Sequence, residues 1–293
     1  MTVRIGAKVP NSGPQPLAAG IGATARELEQ QGYDSLWVSD HVVLPREIDS
    51  RYPFAADGKA TWSTDTPYYE PVVALAMMAE ATTRATLGTA VLVAPLRNPV
   101  LLAKQLASID VLSGGRLAIG AGAGWLREEF DALNVPFARR GSRLEEWIAI
   151  MRECWTGTPA ARRSDFYELP GDLLSLPATA RPVPLLIGGH SPVALRRAGA
   201  VGDGWLAQQD ATGLDPDELR AAREQIDAAA RDAGRDPSAL RVVLRVVGSG
   251  GACDLVAARL ADLARVGVDE VIVDVVDHDP AADLARLREG AAA

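Results

Sequence analysis

Short apolar runs alternate along this chain with longer stretches in which apolar residues recur at helical spacing. "VRIGAKV" (3–9) reads as a strand, and 16–31 as a helix that stops at Gly32. "YDSLWVSD" (33–40) is a second strand. "EPVVALAMMAEATT" is a helix with Pro71 in its first turn, where a missing N–H is harmless. "ATLGTAVLVAP" (85–95) predicts a third strand, 99–113 a helix, "LAIGAGAGW" (117–125) a fourth strand and 142–155 a helix. The rest follows suit, with strands at 183–189, 203–208, 239–247 and 269–276 and helices at 192–199, 215–233, 252–265 and 280–289.

These strands are continuous Val/Ile/Leu runs, the pattern of strands buried on both faces of a parallel sheet. Eight strand–helix units in 293 residues predict an α/β fold, a closed (β/α)8 TIM barrel forming one domain over 1–293. An open doubly wound sheet is the alternative. Two connections exceed simple turns: 41–69, after strand two, and 157–182, an insertion before strand five. The first leaves the C-terminal end of a strand, where barrel enzymes place their sites, and carries Tyr52, Phe54, Trp62, Tyr68 and Tyr69. It is the expected active-site cover.

Composition narrows the partners. A net charge of −8 argues against nucleic acid and anionic membranes, which need a basic surface. Cys154 and Cys253 lack paired spacing, "MTVRIGAKVP" has no apolar h-region, and no stretch reaches the roughly 18 apolar residues of a membrane span. The expectation is a cytoplasmic protein acting on a small molecule.

Candidate chemistry gathers at strand ends. "LAIGAGAGW" half-fits the dinucleotide fingerprint G-x-G-x-x-G, but the last position holds Trp125. Glycine-rich ends at 120–124 and 188–189 each precede a helix, so backbone N–H groups could hold phosphate there, although tight turns alone would account for either. His41, His190 and His278 each follow a predicted strand. In "SDH" (39–41), a histidine beside an acid could act as general acid or base, but neighbouring strand residues point opposite ways, so Asp40 and His41 need not touch. No H-x-H pair supports a metal, and none is expected.

"GYDSLWVSDHVVLP" (32–45), the stretch 81–148 with "NPVLLAKQLASIDVLSGGRL", and "VPLLIGGHSPVALRRAGAVGDGWL" (183–206) resemble the luciferase-like monooxygenase superfamily, in its coenzyme F420-dependent oxidoreductase branch of actinobacteria. The resemblance implies that F420, or alternatively FMN, binds at the C-terminal mouth of the barrel. It implies Asp40 and His41 beside the deazaflavin ring, with His41 handling a proton. Ala90 and Val91 match a position where relatives often carry a non-prolyl cis peptide. Ala123, Gly124 and Trp125 match a loop lining the cofactor cleft. Gly188, Gly189, His190 and Ser191 match the phosphate-side loop. A homodimer, and a separate F420 or flavin reductase supplying reduced cofactor, are the implied partners.

One departure matters. Relatives that oxidise a sugar phosphate carry an acid where this chain has Trp125. The resemblance therefore implies hydride transfer between F420 and a small apolar or aromatic substrate. The alternatives are an FMN-dependent monooxygenase, a non-catalytic deazaflavin-binding protein, and a metal-dependent hydrolase on the same barrel.

Overall fold

The computed structural model describes residues 2–292 other than Ala56, Thr61 and Asp277. Eight parallel strands close into a barrel: β1 (Arg4–Lys8), β2 (Ser35–Val38), β3 (Thr86–Val93), β4 (Leu117–Gly122), β5 (Leu185–Gly188), β6 (Gly204–Asp210), β7 (Arg241–Val247) and β8 (Glu270–Asp274). Neighbours in sequence are neighbours in space, and β1 pairs with both β2 and β8 to seal the cylinder.

Helix starts are written locally. Glu70, Asn98, Ser191 and Asp215 each accept a backbone N–H of the turn they open, and each is followed by a proline at the first helical position. The helices Pro71–Ala81, Pro99–Leu112, Pro192–Val201 and Pro216–Asp232 therefore begin where the sequence places them. Three differences stand out. The predicted helix 16–31 is broken at Gly20, whose φ of 80° leaves Ile21–Gln31 as its main part. The predicted helix 252–265 divides into Cys253–Ala257 and Leu260–Arg265. A short helix, Arg127–Ala132, follows β4 where none was expected.

Strand alternation sorts the core into two regions. Outward residues such as Ile5, Ala7, Leu36, Ile119, Leu185 and Val271 pack against the surrounding helices. Inward residues Trp37, Ala118, Leu186, Leu206, Val243 and Ile272 fill the cylinder, with Ala90 and Val91 above them. Below them, buried Glu270 accepts from the Ser35 hydroxyl and from Trp37 Nε1 at 3.0 Å, and pairs with Arg4 at 3.3 Å and Arg241 at 3.1 Å. This carboxylate, buried at the foot of the barrel, is thus met by two guanidinium groups.

The two long connections diverge. Segment 157–182 leaves and rejoins the barrel at its foot, where Arg181 donates to the Gly115 carbonyl ahead of β4. Between those ends a small hairpin, Arg162–Arg163 with Glu168–Leu169, climbs the outside of the barrel, and Asp165 and Tyr167 reach Arg139 and Asn98 at helix starts. Segment 41–69 folds over the mouth itself. Among the described residues, no helix is long and apolar enough to cross a membrane.

Glycines in "LAIGAGAGW" have packing reasons. A Cβ at Gly120 would collide with the Thr89 carbonyl of β3, and one at Gly122 would stand 2.7 Å from Val91 Cγ2. Gly120→Ala is expected to lower the unfolding free energy by about 1–3 kcal/mol in urea titration. Gly213→Ala, with open space around it, should change it by less than about 0.5 kcal/mol.

Candidate active site

Beyond β2 the chain sends two neighbouring side chains to different places. The Asp40 side chain is fully buried. Its Oδ2 accepts from the Val93 N–H at 2.8 Å and from Arg97 Nη1 at 2.7 Å, and its Oδ1 accepts from Arg97 Nη2 at 2.9 Å. Arg97 also donates to Glu70 at 2.8 Å. Burial works against the Arg97 charge, but Asp40 and Glu70 outweigh it and hold the guanidinium above its ordinary range. Asp40 therefore braces the ends of β2 and β3, and both its oxygens are occupied.

His41 enters the mouth. Its ring is buried among Tyr68 at 5.3 Å, Trp62 at 5.8 Å and Trp125 at 6.1 Å between centroids. Its Nδ1 has no hydrogen-bond partner and lies 3.4 Å from Glu129 Oε2. The other oxygen of Glu129 accepts the backbone N–H groups of Val42 and Val43. Sequence reading missed Glu129. It stands on the unpredicted helix Arg127–Ala132, far from His41 along the chain, and its one local signal is the acidic pair in "REEF" just past Trp125.

The same helix pins the long loop a second time. Glu128 accepts the Asp49 and Ser50 N–H groups at 2.8 and 2.9 Å and the Ser50 hydroxyl at 2.6 Å. Burial alone would raise the Glu128 carboxyl, but these hydrogen bonds prevail and hold it below its ordinary value. Loop 41–69 then folds over the barrel as an aromatic cover. Tyr52 meets Trp62 and Trp125, each at 5.1 Å, and Phe54 meets His190 at 5.7 Å. Burial raises the Tyr52 hydroxyl and pushes that of Tyr68 up to about 12, so both stay neutral at physiological pH.

The opposite wall is small. The Ala90–Val91 peptide is cis, and the β3–β4 register shifts between Thr89 and Leu92. Val91 places one methyl over Gly122 and the other over Gly188, where a Cβ would stand 2.6 Å from it. Ala123 packs half-buried beside the core, and Gly124, at φ 87°, leaves room for Phe130 and Val93. On the β5 side, Gly189 accepts from Trp205 Nε1 at 2.9 Å, and the Ser191 side chain caps the next helix. His190 Nε2 accepts the Gln208 N–H at 2.9 Å, and burial lowers its proton affinity despite Glu218 nearby. It serves as a neutral strand-end histidine. His278 sits against Gly250 and Gly251, away from these groups. Among the described residues, no three His, Cys, Asp or Glu side chains converge to hold a metal.

A barrel mouth with this wall, this cover and one buried histidine can be set beside known proteins. The model of the luciferase-like monooxygenase family matches residues 3–289. The chain belongs to the luciferase-like monooxygenase family. A member in Mycobacterium tuberculosis, an uncharacterized protein, is 37% identical over 211 residues, covering 72% of this chain and 71% of its own. An F420-dependent glucose-6-phosphate dehydrogenase of Amycolatopsis mediterranei is 33% identical over 182 residues, 61% of this chain and 50% of that enzyme. Among solved structures, an F420-dependent secondary alcohol dehydrogenase in complex with an F420–acetone adduct shares the fold at a TM-score of 0.77. It is 18% identical, with 99% of this chain and 98% of that one covered. The chain is thus an oxidoreductase of the luciferase-like type.

Within this luciferase-like barrel the Asp40–Arg97 pair makes a stability prediction. Removing one partner of a buried pair strands the other, so Asp40→Ala and Arg97→Ala should each cost about 3–5 kcal/mol in chemical denaturation. The double variant should cost little more than either single change, because the two share one interaction.

Proposed function

We propose that this chain is an F420-dependent oxidoreductase acting on a small organic substrate with a flat, largely apolar body. The observation that carries the reading is His41, held in the mouth with Nδ1 toward the Glu129 carboxylate and its ring under an aromatic cover. When bound, F420 supplies two-electron hydride transfer at C5 of the deazaflavin. The residues present fit a planar ring. β3, β4 and β5 offer only Ala90, Val91, Gly122 and Gly188 at their mouth ends, which leaves one side free of bulky side chains.

Each group has a distinct task. Glu129 holds the Nδ1 side of His41, which leaves Nε2 to take or give the proton that accompanies hydride transfer. Asp40 touches neither reactant and acts as a positioning residue, because it fixes the backbone from which His41 projects. Trp125, Tyr52 and Trp62 exclude water and flatten the space over the ring. Gly188 and Gly189, with the N-terminus of helix Pro192–Val201, are the natural anchors for the phosphate of the cofactor tail. Val73, Met77, Leu101 and Leu112 stand exposed on helices Pro71–Ala81 and Pro99–Leu112, and they support the homodimer that the resemblance implies.

Titration of the purified chain, followed by fluorescence quenching, tests the cofactor. F420 should bind with a dissociation constant of about 1–10 μM and FMN at least about tenfold more weakly; tight FMN binding without F420 binding would overturn the proposal. His41→Ala should bind F420 normally and lose about 10²–10⁴ in turnover, and undiminished turnover would remove His41 from the mechanism. Glu129→Gln should lose about tenfold in kcat with unchanged F420 affinity, and Glu129→Asp should recover part of that loss.

A further inference from the structure

The top inward layer of the barrel is divided. Above the apolar plug, alternate residues of the strands face the mouth. β3, β4 and β5 present Ala90 with Val91, Gly122 and Gly188, whereas β1, β6, β7 and β8 present Lys8, Gln208, Arg245 and Asp274. Half of the floor is small and the other half is polar. Nothing in the chemistry of the histidine side uses that polar half.

Its charges do not cancel. Arg245, 7% exposed, donates to the Val246 carbonyl at 2.6 Å and to Asp274. The second oxygen of Asp274 accepts the Gly248 N–H at 2.9 Å, so this carboxylate is fully engaged. Lys8 Nζ donates to two neutral oxygens, the Val9 carbonyl at 2.9 Å and Asn11 Oδ1 at 3.0 Å. Among the described residues, no carboxylate lies within ion-pair distance of it. Lys8 is half-buried, and a partly enclosed ammonium left with neutral acceptors beside a guanidinium is a cationic site without a carboxylate of its own. The position of Arg245 links this site to the aromatic cover, because its charge is felt at the hydroxyls of both Tyr52 and Tyr68.

We propose that Lys8 and Arg245 form an anion subsite at the mouth of the barrel, which takes a carboxylate borne by a planar, otherwise apolar substrate. This deepens the proposed function and rests on its reading of the mouth as a redox site. The apolar body would lie between the cover and the small-residue wall, with the carboxylate turned toward β1 and β7. Burial, helped by Arg245 and only partly opposed by Asp274, pushes the Lys8 ammonium down to about 7. An anion beside it would favour the charged form, so binding near neutral pH takes up a proton. The other titratable and charged groups around the mouth are Arg245, Asp274, His41 with Glu129, the Asp40–Arg97 pair, and His190 with Glu218, while Tyr52 and Tyr68 are neutral there.

The test uses benzoate and its neutral analogue benzamide, with tryptophan fluorescence from the mouth as readout. Benzoate should bind saturably and at least about tenfold more tightly than benzamide. Binding at about pH 7 in weak buffer should remove protons from solution, and affinity should fall as pH rises to about 9. Lys8→Gln, which can still donate to Val9 and Asn11, should abolish both the preference and the proton uptake while F420 affinity stays within about twofold. Equal binding of the two probes, an unchanged Lys8→Gln variant, or no proton uptake by the parent overturns the subsite. Parallel loss of benzoate and F420 assigns the cations to an anionic group of the cofactor and overturns the substrate assignment. If the parent binds benzoate as expected but not F420, the cofactor reading fails and the subsite stands. Proton uptake by the parent decides the matter even if Lys8→Gln does not fold.

Discussion

One guanidinium holds the architecture of the mouth together. Arg97, just past β3, takes the Asp40 carboxylate in a two-pronged grip and reaches Glu70 with the same Nη2. Asp40 is the last residue before the long loop 41–69, and Glu70 the first after it. Both ends of the aromatic cover are therefore tied to one buried cation, so the cover cannot shift at its base without exposing an unpaired charge. The same carboxylate takes the Val93 N–H, which makes the end of β3 part of that lock. Such a pair contributes little net stability over a well-packed apolar substitute; its effect is to make one arrangement far better than any other.

From that lock the position of His41 follows. Asp40 faces outward into the pair, so the next residue must turn into the mouth, and the short helix after β4 meets it there. Glu128 and Glu129 divide the work on adjacent positions: one clamps the loop at Asp49 and Ser50, and the other secures Val42 and Val43 and stands beside the imidazole. Where sugar-phosphate-oxidising relatives are read as having an acid, Trp125 fills the space with a ring, and the carboxylate near the histidine comes from Glu129, on the Nδ1 side. A histidine and a carboxylate thus stand side by side under aromatic rings.

Much of this was legible in the chain. Uninterrupted Val/Ile/Leu runs separated by helical spacing gave eight parallel strands buried on both faces; their number favoured a barrel over an open sheet, and the pairing of β1 with β8 closes it. The acceptor–proline pairs at 70–71, 98–99, 191–192 and 215–216 marked helix starts through chemistry confined to a few residues. Strand parity correctly separated Asp40 from His41. Glu129 was hidden for the opposite reason: a six-residue helix is too short to show periodicity, and its contact with His41 joins separate units of the barrel. Lys8 was hidden because a single lysine in an apolar run looks like a solvated strand end. Only barrel closure, which sets it level with Arg245 and Asp274, reveals that it lies inside.

The glycines of "LAIGAGAGW" show how one residue type serves two ends. Gly120 and Gly122 are empty because β3 and Val91 occupy the space that a side chain would need. That close approach draws β3 and β4 together and lets Val91 seat its second methyl against Gly188 on β5. Three strands thereby reach the mouth with almost no side-chain bulk, a flat wall opposite a charged one. Under the proposed function a planar ring would lie against the first and an acid would face the second. The packing rule that made the sequence resemble a broken nucleotide loop is therefore also what divides the floor of the site.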